Sequence, residues 1–366
     1  VVVDKSKFNS HMKLFRELMD KLELSADELE RIKSYVQENP EELDQFFSLS
    51  LYQTLEEGKD ALLFEQYDYY EKFRRNIFST WEAPLKRLDS LLYICTEIVE
   101  ELRQQMAASE CQRTVKINIA TRLQARCVQV GKEISHLLHG GYADGAFARW
   151  RTLHETSVTT KFICEGDEDL ACRFVDFQSV MRLDAATKYN SRNELEFDSF
   201  SDEKIAGFEK EKEEVLGKYE PNFEKKFGWA RKALGDTVKG NGNLTFVDVE
   251  KFVKLSFLRN HFSFANQYVH AGIDSIGFKL GTSMSRADII LAGPSDEGLI
   301  EPIQCTSLSL VYATESLLKA YPSHQSSVRI SVLWLWHEIL KQEVSNASAA
   351  LQAKGDAVRQ KGNLAQ

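Results

Sequence analysis

The stretch Asp144–Cys164, DGAFARWRTLHETSVTTKFIC, constrains this chain more than any other. Read as a helix, it brings Phe147, Arg151, Glu155, Val158 and Phe162 onto one side, because positions three, four, seven and eight apart share a face. The opposite side, Leu153, Thr156, Thr160, Ile163 and Cys164, is small and mostly apolar. A helix with apolar residues all round belongs in the middle of a protein, so neighbours are expected on every side. Arg151 and Glu155 then sit inside an apolar stripe, and two charges in that position need a structural or a chemical reason.

The rest of the chain reads as helices arranged about this one. Met12, Phe15, Leu18 and Met19 recur at helical spacing. Ser25-Ala26-Asp27-Glu28 is a capping box, in which the side chains of Ser25 and Glu28 satisfy each other's free backbone donors. Pro40 can open a third helix. Leu62–Trp81 and Pro84–Ala108 follow as two longer helices, parted by the breaker Glu82-Ala83-Pro84. Gly140-Gly141 ends a helix that begins near residue 112, and the central helix starts directly after it. Asp167–Asn190 continues the pattern. Ser201–Lys218 alternates charge so densely that a surface helix is expected.

Residues 235–245, GDTVKGNGNLT, form a flexible loop, either a lid or a tolerated insertion. Thr245 and Asp248 make a second capping signature. In the following Phe257–Ala271 helix, Leu258, Phe262, Ala265 and Val269 form a packing stripe. Arg259, Ser263, Asn266 and His270 repeat at the same intervals beside it. Alternation in Gly277–Gly281 and the apolar run Ile289–Ala292 predict one small β-hairpin near residues 277–292. Two long helices, about Ile303–Ala320 and Val328–Leu351, close the chain. The expected fold class is therefore all-α, a multi-helix bundle with that single hairpin. Its expected organisation is an N-terminal helical layer over 1–110, a helical core domain over 111–352, and a flexible tail over 353–366.

Composition narrows the function classes. The formal charge of −9 argues against broad electrostatic binding to nucleic acid and favours partners reached through a defined site. Arg113, Lys116, Arg122, Arg126 and Lys132 make 112–139 the most basic stretch, either a solvated or interdomain face or an anion or RNA surface. Six cysteines stand singly with no Cys-x-x-Cys pair, which fits a reducing cytoplasm and disfavours a zinc knuckle. The N-terminal VVVDKSKFNSHMKLFREL carries no secretion signal, and no run of about 18 apolar residues suggests a membrane span.

No metal or cofactor is expected. Glu133-Ile134-Ser135-His136 has the Glu-x-x-His spacing of a di-iron bundle but no second copy. His136 and His139 are expected to be a C-terminal helix pair. The glycine-rich and His-Glu-x-x-His motifs of nucleotide hydrolases, dehydrogenases, serine hydrolases and metalloproteases are absent.

FARWRTLHETSVTTKFI, followed by YVHAG, a region containing GPS and two closing helices, is similar to the bacterial family catalogued as domain of unknown function 5677. The resemblance covers roughly residues 90–345 and rests on Arg151, Glu155 and a downstream His270; it implies a fold and no activity. A weaker resemblance, Arg149-Trp150-Arg151-Thr152-Leu153-His154, is to the helical HEPN ribonucleases (higher eukaryotes and prokaryotes nucleotide-binding), whose Arg and His stand four to six residues apart. It implies metal-independent RNA cleavage, with Trp150 where that motif usually has a polar residue.

Two function classes follow. Arg151 and Glu155 are either a buried structural pair or part of a cleft completed by Arg259, Asn266, Ser263 and His270. In the cleft reading His270, Arg151 and Glu155 are catalytic and Arg259, Asn266, Ser263, Arg149 and His154 bind substrate. The substrate is RNA or another phosphate-bearing ligand, and the protein is a toxin-like or antiphage effector. In the other reading the same cluster fixes helix register in a non-catalytic scaffold with a protein partner or a second copy of itself.

Overall fold

The computed structural model describes residues 25–108, 114–192, 194–235, 243–270, 272–273, 280–282 and 291–364. The chain divides into two compact units, Val1–Lys72 and Phe73–Gln366. Among the described residues the secondary structure is helical, with no strand. The hairpin expected near 277–292 is not seen, and most of that segment lies outside the described residues.

The first unit holds α1 (Ala26–Glu38) and the beginning of α2 (Pro40–Ala108). The capping box at Ser25 is formed, with the Ser25 backbone N–H donating to Glu28 Oε2 at 2.9 Å.

The second unit takes the remainder of α2. Pro84, expected to separate two helices, lies inside this one. A proline in a helix interior removes a hydrogen bond and costs about 3 kcal/mol. Burial of Ile77, Trp81, Leu85, Leu88, Leu92 and Cys95 along one stripe offsets that loss, at roughly 1.5–3 kcal/mol for each large apolar side chain. From Ile77 onward α2 contributes to the core of the second unit.

Helices α3 (Val115–His139) and α4 (Ala143–Glu165) form the centre of that unit. They are joined by a turn in which Gly141 adopts a left-handed φ of 78°. A Cβ there would lie 2.6 Å from Ile77 Cδ1 and 2.7 Å from the Ser295 carbonyl oxygen, so the tight return depends on glycine. The far end is closed by Glu168, whose carboxylate accepts from the backbone N–H of Val115 at 2.6 Å, and by Lys116, which donates to the Gly166 carbonyl at 2.7 Å. The Gly293-Pro294-Ser295 motif is a staple over the Gly141 turn. Ser295 donates its N–H to the Gly141 carbonyl at 2.9 Å and its Oγ–H to the Thr282 carbonyl at 2.7 Å.

Helix α5 (Glu168–Ser191) and the exposed α6 (Asp202–Leu216) follow, then the short α7 (Arg231–Leu234) and α8 (Phe246–Phe252). Residues 236–242 of the expected loop lie outside the described residues. The single helix expected over 257–271 is instead three short pieces: a 3-10 turn Ser256–Leu258, α9 (Arg259–Ala265) and a 3-10 turn Asn266–Tyr268. Leu258, Phe262 and Ala265 are buried as the stripe requires, while Val269 is exposed.

Helices α10 (Ile300–Ala320) and α11 (Ser326–Leu364) are the last elements among the described residues. Small buried residues on α10 meet its neighbours: Ser309 meets Trp150 and Ser157 on α4, and Thr314 accepts from Gln124 on α3 at 3.0 Å. Trp150 Nε1 donates to the Cys305 carbonyl and Ser309 Oγ, both at 3.0 Å, and Ser157 Oγ donates to the Ser309 carbonyl at 2.8 Å.

The core has two parts, and α4 reaches into both. Phe147, Trp150 and Leu153 belong to one, Val158, Phe162 and Ile163 to the other. The central position expected for this helix is therefore observed, except that Glu155 faces solvent. Among the described residues no helix is long and apolar enough to cross a membrane.

Candidate functional site

Helices α8 and α9 bring an acid and a base to the middle of α4. The box at Thr245, whose backbone N–H donates to Asp248 Oδ2 at 2.8 Å, starts α8 so that Phe246, Val249 and Val253 point inward. Glu250 is carried inward with them and is fully buried. After α8, Lys254 takes a left-handed φ of 60°, and the reversal returns Arg259 to Glu250, nine residues later.

There Glu250 is shared. Its Oε1 lies 2.7 Å from His154 Nε2, and its Oε2 accepts from Arg259 Nε at 2.7 Å and from Arg259 Nη2. His154 is also fully buried, packed on Trp150, Phe246 and Phe262, and its Nδ1 has no hydrogen-bond partner.

Phe262 ties the two arginines to this network. The Arg151 guanidinium stands 4.4 Å from the ring centroid and that of Arg259 4.8 Å. Both side chains remain partly open, Arg151 at 21% and Arg259 at 27%. Arg259 has Glu250. Arg151 has Glu155 at 3.9 Å, too far for a hydrogen bond, and its Nε is buried and unpartnered.

The other expected site residues are distributed differently. Arg149 donates to Glu133 on α3 and, at 3.3 Å, to Thr152 Oγ1. Among the described residues no hydrogen bond or ion pair joins it to His154. Ser263 and His270 are exposed. Among the described residues His270 bonds through its backbone, to the Asn266 carbonyl at 3.1 Å and from the Gly272 N–H at 2.8 Å. Among the described residues no hydrogen bond, ion pair or ring contact joins its imidazole to Arg151 or Glu155. Asn266 Oδ1, Gln267 Oε1 and Tyr268 Oη are buried without hydrogen-bond partners. Burial first, then the charges of Asp144 and Glu301, push the Tyr268 phenol well above its ordinary range.

The histidine brought to the arginines is therefore His154, and the acid is Glu250. The sequence reading missed Glu250. Its signal was present: in FVDVEKFV it stands four residues after Phe246 and three before Val253, in phase with the apolar side of a capped helix. The basic stretch on α3 is largely engaged locally. Arg122 donates to Asn118 at 3.0 Å, Arg126 to Gln129 at 2.8 Å, and Lys116 to the Gly166 carbonyl, while Arg113 lies outside the described residues. No group of three or more His, Cys, Asp or Glu positioned to hold a metal ion occurs among the described residues.

Chemically, Glu250 is saturated and His154 is closed off from solvent. The groups able to meet a ligand are the two guanidinium edges beside Phe262. Such a pair can bind an anion.

Residues 117–287 match the model of a family described as Family of unknown function (DUF5677), so the resemblance carried by Arg151, Glu155 and His270 holds at the level of that segment. The matched span contains every residue of the His154–Glu250–Arg259 network. Comparison with curated proteins gave no match, nor did comparison with solved structures.

Proposed function

We propose that this chain binds a phosphate-bearing ligand where Arg151 and Arg259 meet the ring of Phe262. One observation carries the reading: Arg151 is held in place over an aromatic ring, partly open to solvent, with no carboxylate of the described residues closer than 3.9 Å. A guanidinium in that state keeps hydrogen-bonding capacity for an incoming anion, and its planar fork suits phosphate oxygens. Arg259 adds a second positive edge, with Glu250 and His154 holding it in position. Asn266 and Ser263 supply neighbouring amide and hydroxyl groups, and Glu155 and Arg149 border the surface on α4.

RNA is the macromolecular form of ligand that this reading favours. In this reading His270, exposed beyond α9, is the imidazole that exchanges a proton at a 2′-hydroxyl while the arginines stabilise charge at phosphorus. A toxin-like or antiphage effector is the corresponding biological role. The test is fluorescence anisotropy of a fluorescein-labelled single-stranded RNA, competed with inorganic pyrophosphate. Arg151→Ala is expected to weaken binding roughly tenfold or more, the worth of a hydrogen bond to a charged group. Unchanged affinity in that variant, or no binding of either probe by the native chain, would overturn the reading.

A second reading is favoured by the complete burial of His154 and Glu250. In it the network sets the register between α4, α8 and α9 and the protein is a non-catalytic scaffold. Loss of binding in Arg151→Ala with an unchanged melting temperature favours the first reading over the second.

A further inference from the structure

A cleft of about 340 Å³ lies between α2 and α3, within the second unit. Each helix gives one face to it. On α2 Val99, Arg103 and Met106 follow one another at steps of four and three, and on α3 Asn118, Arg122 and Ala125 do the same. Val99 and Ile117 are buried and, with the half-buried Met106, make an apolar floor. Arg103, Asn118 and Arg122 are exposed and make the rim. None of these residues belongs to the cluster of Arg151, Phe262 and Arg259.

The rim keeps hydrogen-bonding capacity. Arg122 Nε donates to Asn118 Oδ1 at 3.0 Å, a neutral partner, and among the described residues no ion pair joins Arg122 to a carboxylate. Because that bond takes the amide oxygen of Asn118, its Nδ2 faces outward as a donor. Arg103 Nη1 stands 3.8 Å from Glu100, beyond hydrogen-bond distance, and Glu100 already accepts from Gln104 at 3.2 Å. Arginines that hold the fold together behave otherwise: Arg87, Arg173 and Arg329 each donate to a carboxylate. The N-terminus of α3 takes no part, since Glu168 accepts from the backbone N–H groups of Val115 and Lys116 and Thr114 accepts from that of Ile117.

We propose that this cleft binds an organic monoanion, a carboxylate carried on an apolar body. Charge at the rim decides the head group. Two guanidinium groups set against Glu100 leave one positive charge, which a carboxylate neutralises and a phosphate dianion exceeds. The planar guanidinium fork matches the two carboxylate oxygens, and Asn118 Nδ2 adds a third point of attachment. Val99, Met106 and Ile117 receive the body, since apolar area shared with it is withdrawn from water. A neutral molecule of the same shape gains nothing at the rim, and an inorganic anion gains nothing at the floor. The volume falls at the lower end of the roughly 300–1,000 Å³ of small-molecule pockets, which suits a single short chain or ring.

Isothermal titration calorimetry of the full chain with octanoate, below its micelle concentration, tests the proposal. One octanoate per chain is expected, with octanol, the same chain without the charge, roughly tenfold or more weaker. Arg103→Ala combined with Arg122→Ala is expected to weaken octanoate by roughly tenfold or more and to leave octanol and the helical circular dichroism unchanged, since both side chains are exposed. Ala125→Trp, also at an exposed position, is expected to fill the cleft and abolish binding of both. Arg151→Ala is expected to leave octanoate affinity unchanged, which separates this cleft from the phosphate site. A native chain that does not bind octanoate, equal affinity for octanol, full octanoate affinity in the double variant, or its loss in Arg151→Ala would each overturn the assignment.

Discussion

His154 Nε2 and Glu250 Oε1 lie 2.7 Å apart with both side chains withdrawn from solvent, joining the central helix to a segment 96 residues downstream. A buried carboxylate is tolerable only when paired and hydrogen-bonded, and Glu250 meets that condition through His154 and Arg259 together.

Glu250→Ala is therefore expected to destabilise the fold by about 3–5 kcal/mol, because it leaves the imidazole unpaired in the core and Arg259 without its counter-charge. Urea denaturation of the variant checks this. A loss under 1 kcal/mol, estimated as for an ordinary surface pair, would mean that the network is not formed in solution.

Arg151→Ala is expected to behave differently. Its ion pair with exposed Glu155 is long, and its stacking on Phe262 contributes only about 0.5–1 kcal/mol. The thermal midpoint should fall by a few degrees at most, which keeps this variant useful for binding measurements.

His337 supplies a pH dependence. It is buried on α11 against Ser307, with Nδ1 3.0 Å from the hydroxyl, and burial pulls its pKa down to about 4, against a smaller opposing effect of Glu338. The unfolded chain, with an ordinary histidine pKa near 6.5, then binds a proton that the folded chain refuses. The stability from the neutral ring is fully present above about pH 6.5 and is lost progressively as pH falls toward 4, by on the order of 3 kcal/mol. Urea midpoints of the native chain and of His337→Gln between pH 7 and 4.5 should converge as the pH drops.

Gly141→Ala is expected to destabilise by more than the 1–2 kcal/mol of a left-handed residue alone. The added methyl meets Ile77 and the Ser295 carbonyl, and the latter is backbone that cannot turn aside. Calorimetry of the purified variant is the measurement.

Cys95, Cys127, Cys164 and Cys305 should resist a thiol reagent in the native state. Burial raises each thiol to about 12, so almost no thiolate is present at pH 8. Labelling followed by mass spectrometry should find these four modified only after denaturation, with Cys172, which is partly open, modified before them.

Much of the helical frame was legible in local sequence. Periodicity and capping gave α3, α4, α5, α6, α10 and both capping boxes, because those signals act within a few residues of the position they determine. Pro84 was misleading for the complementary reason: its cost is local, and the burial that outweighs it involves helices far along the chain. The break-up of 257–271 has the same origin. Arg259 returns to Glu250 through a left-handed Lys254, a geometry set by a buried partner and not by spacing.

The sequence by itself placed Arg151 and Arg259 on apolar helices and required that something account for their charge. Which partners do so was decided by tertiary structure. Glu155 and His270 stand where motif and periodicity put them, yet they face solvent, while His154 and Glu250 are turned inward by the packing of α8 and α9 on α4. Helical periodicity fixes which side chains share a face. Only the arrival of another helix, at a cost in chain entropy repaid by burial, fixes which face becomes the interior.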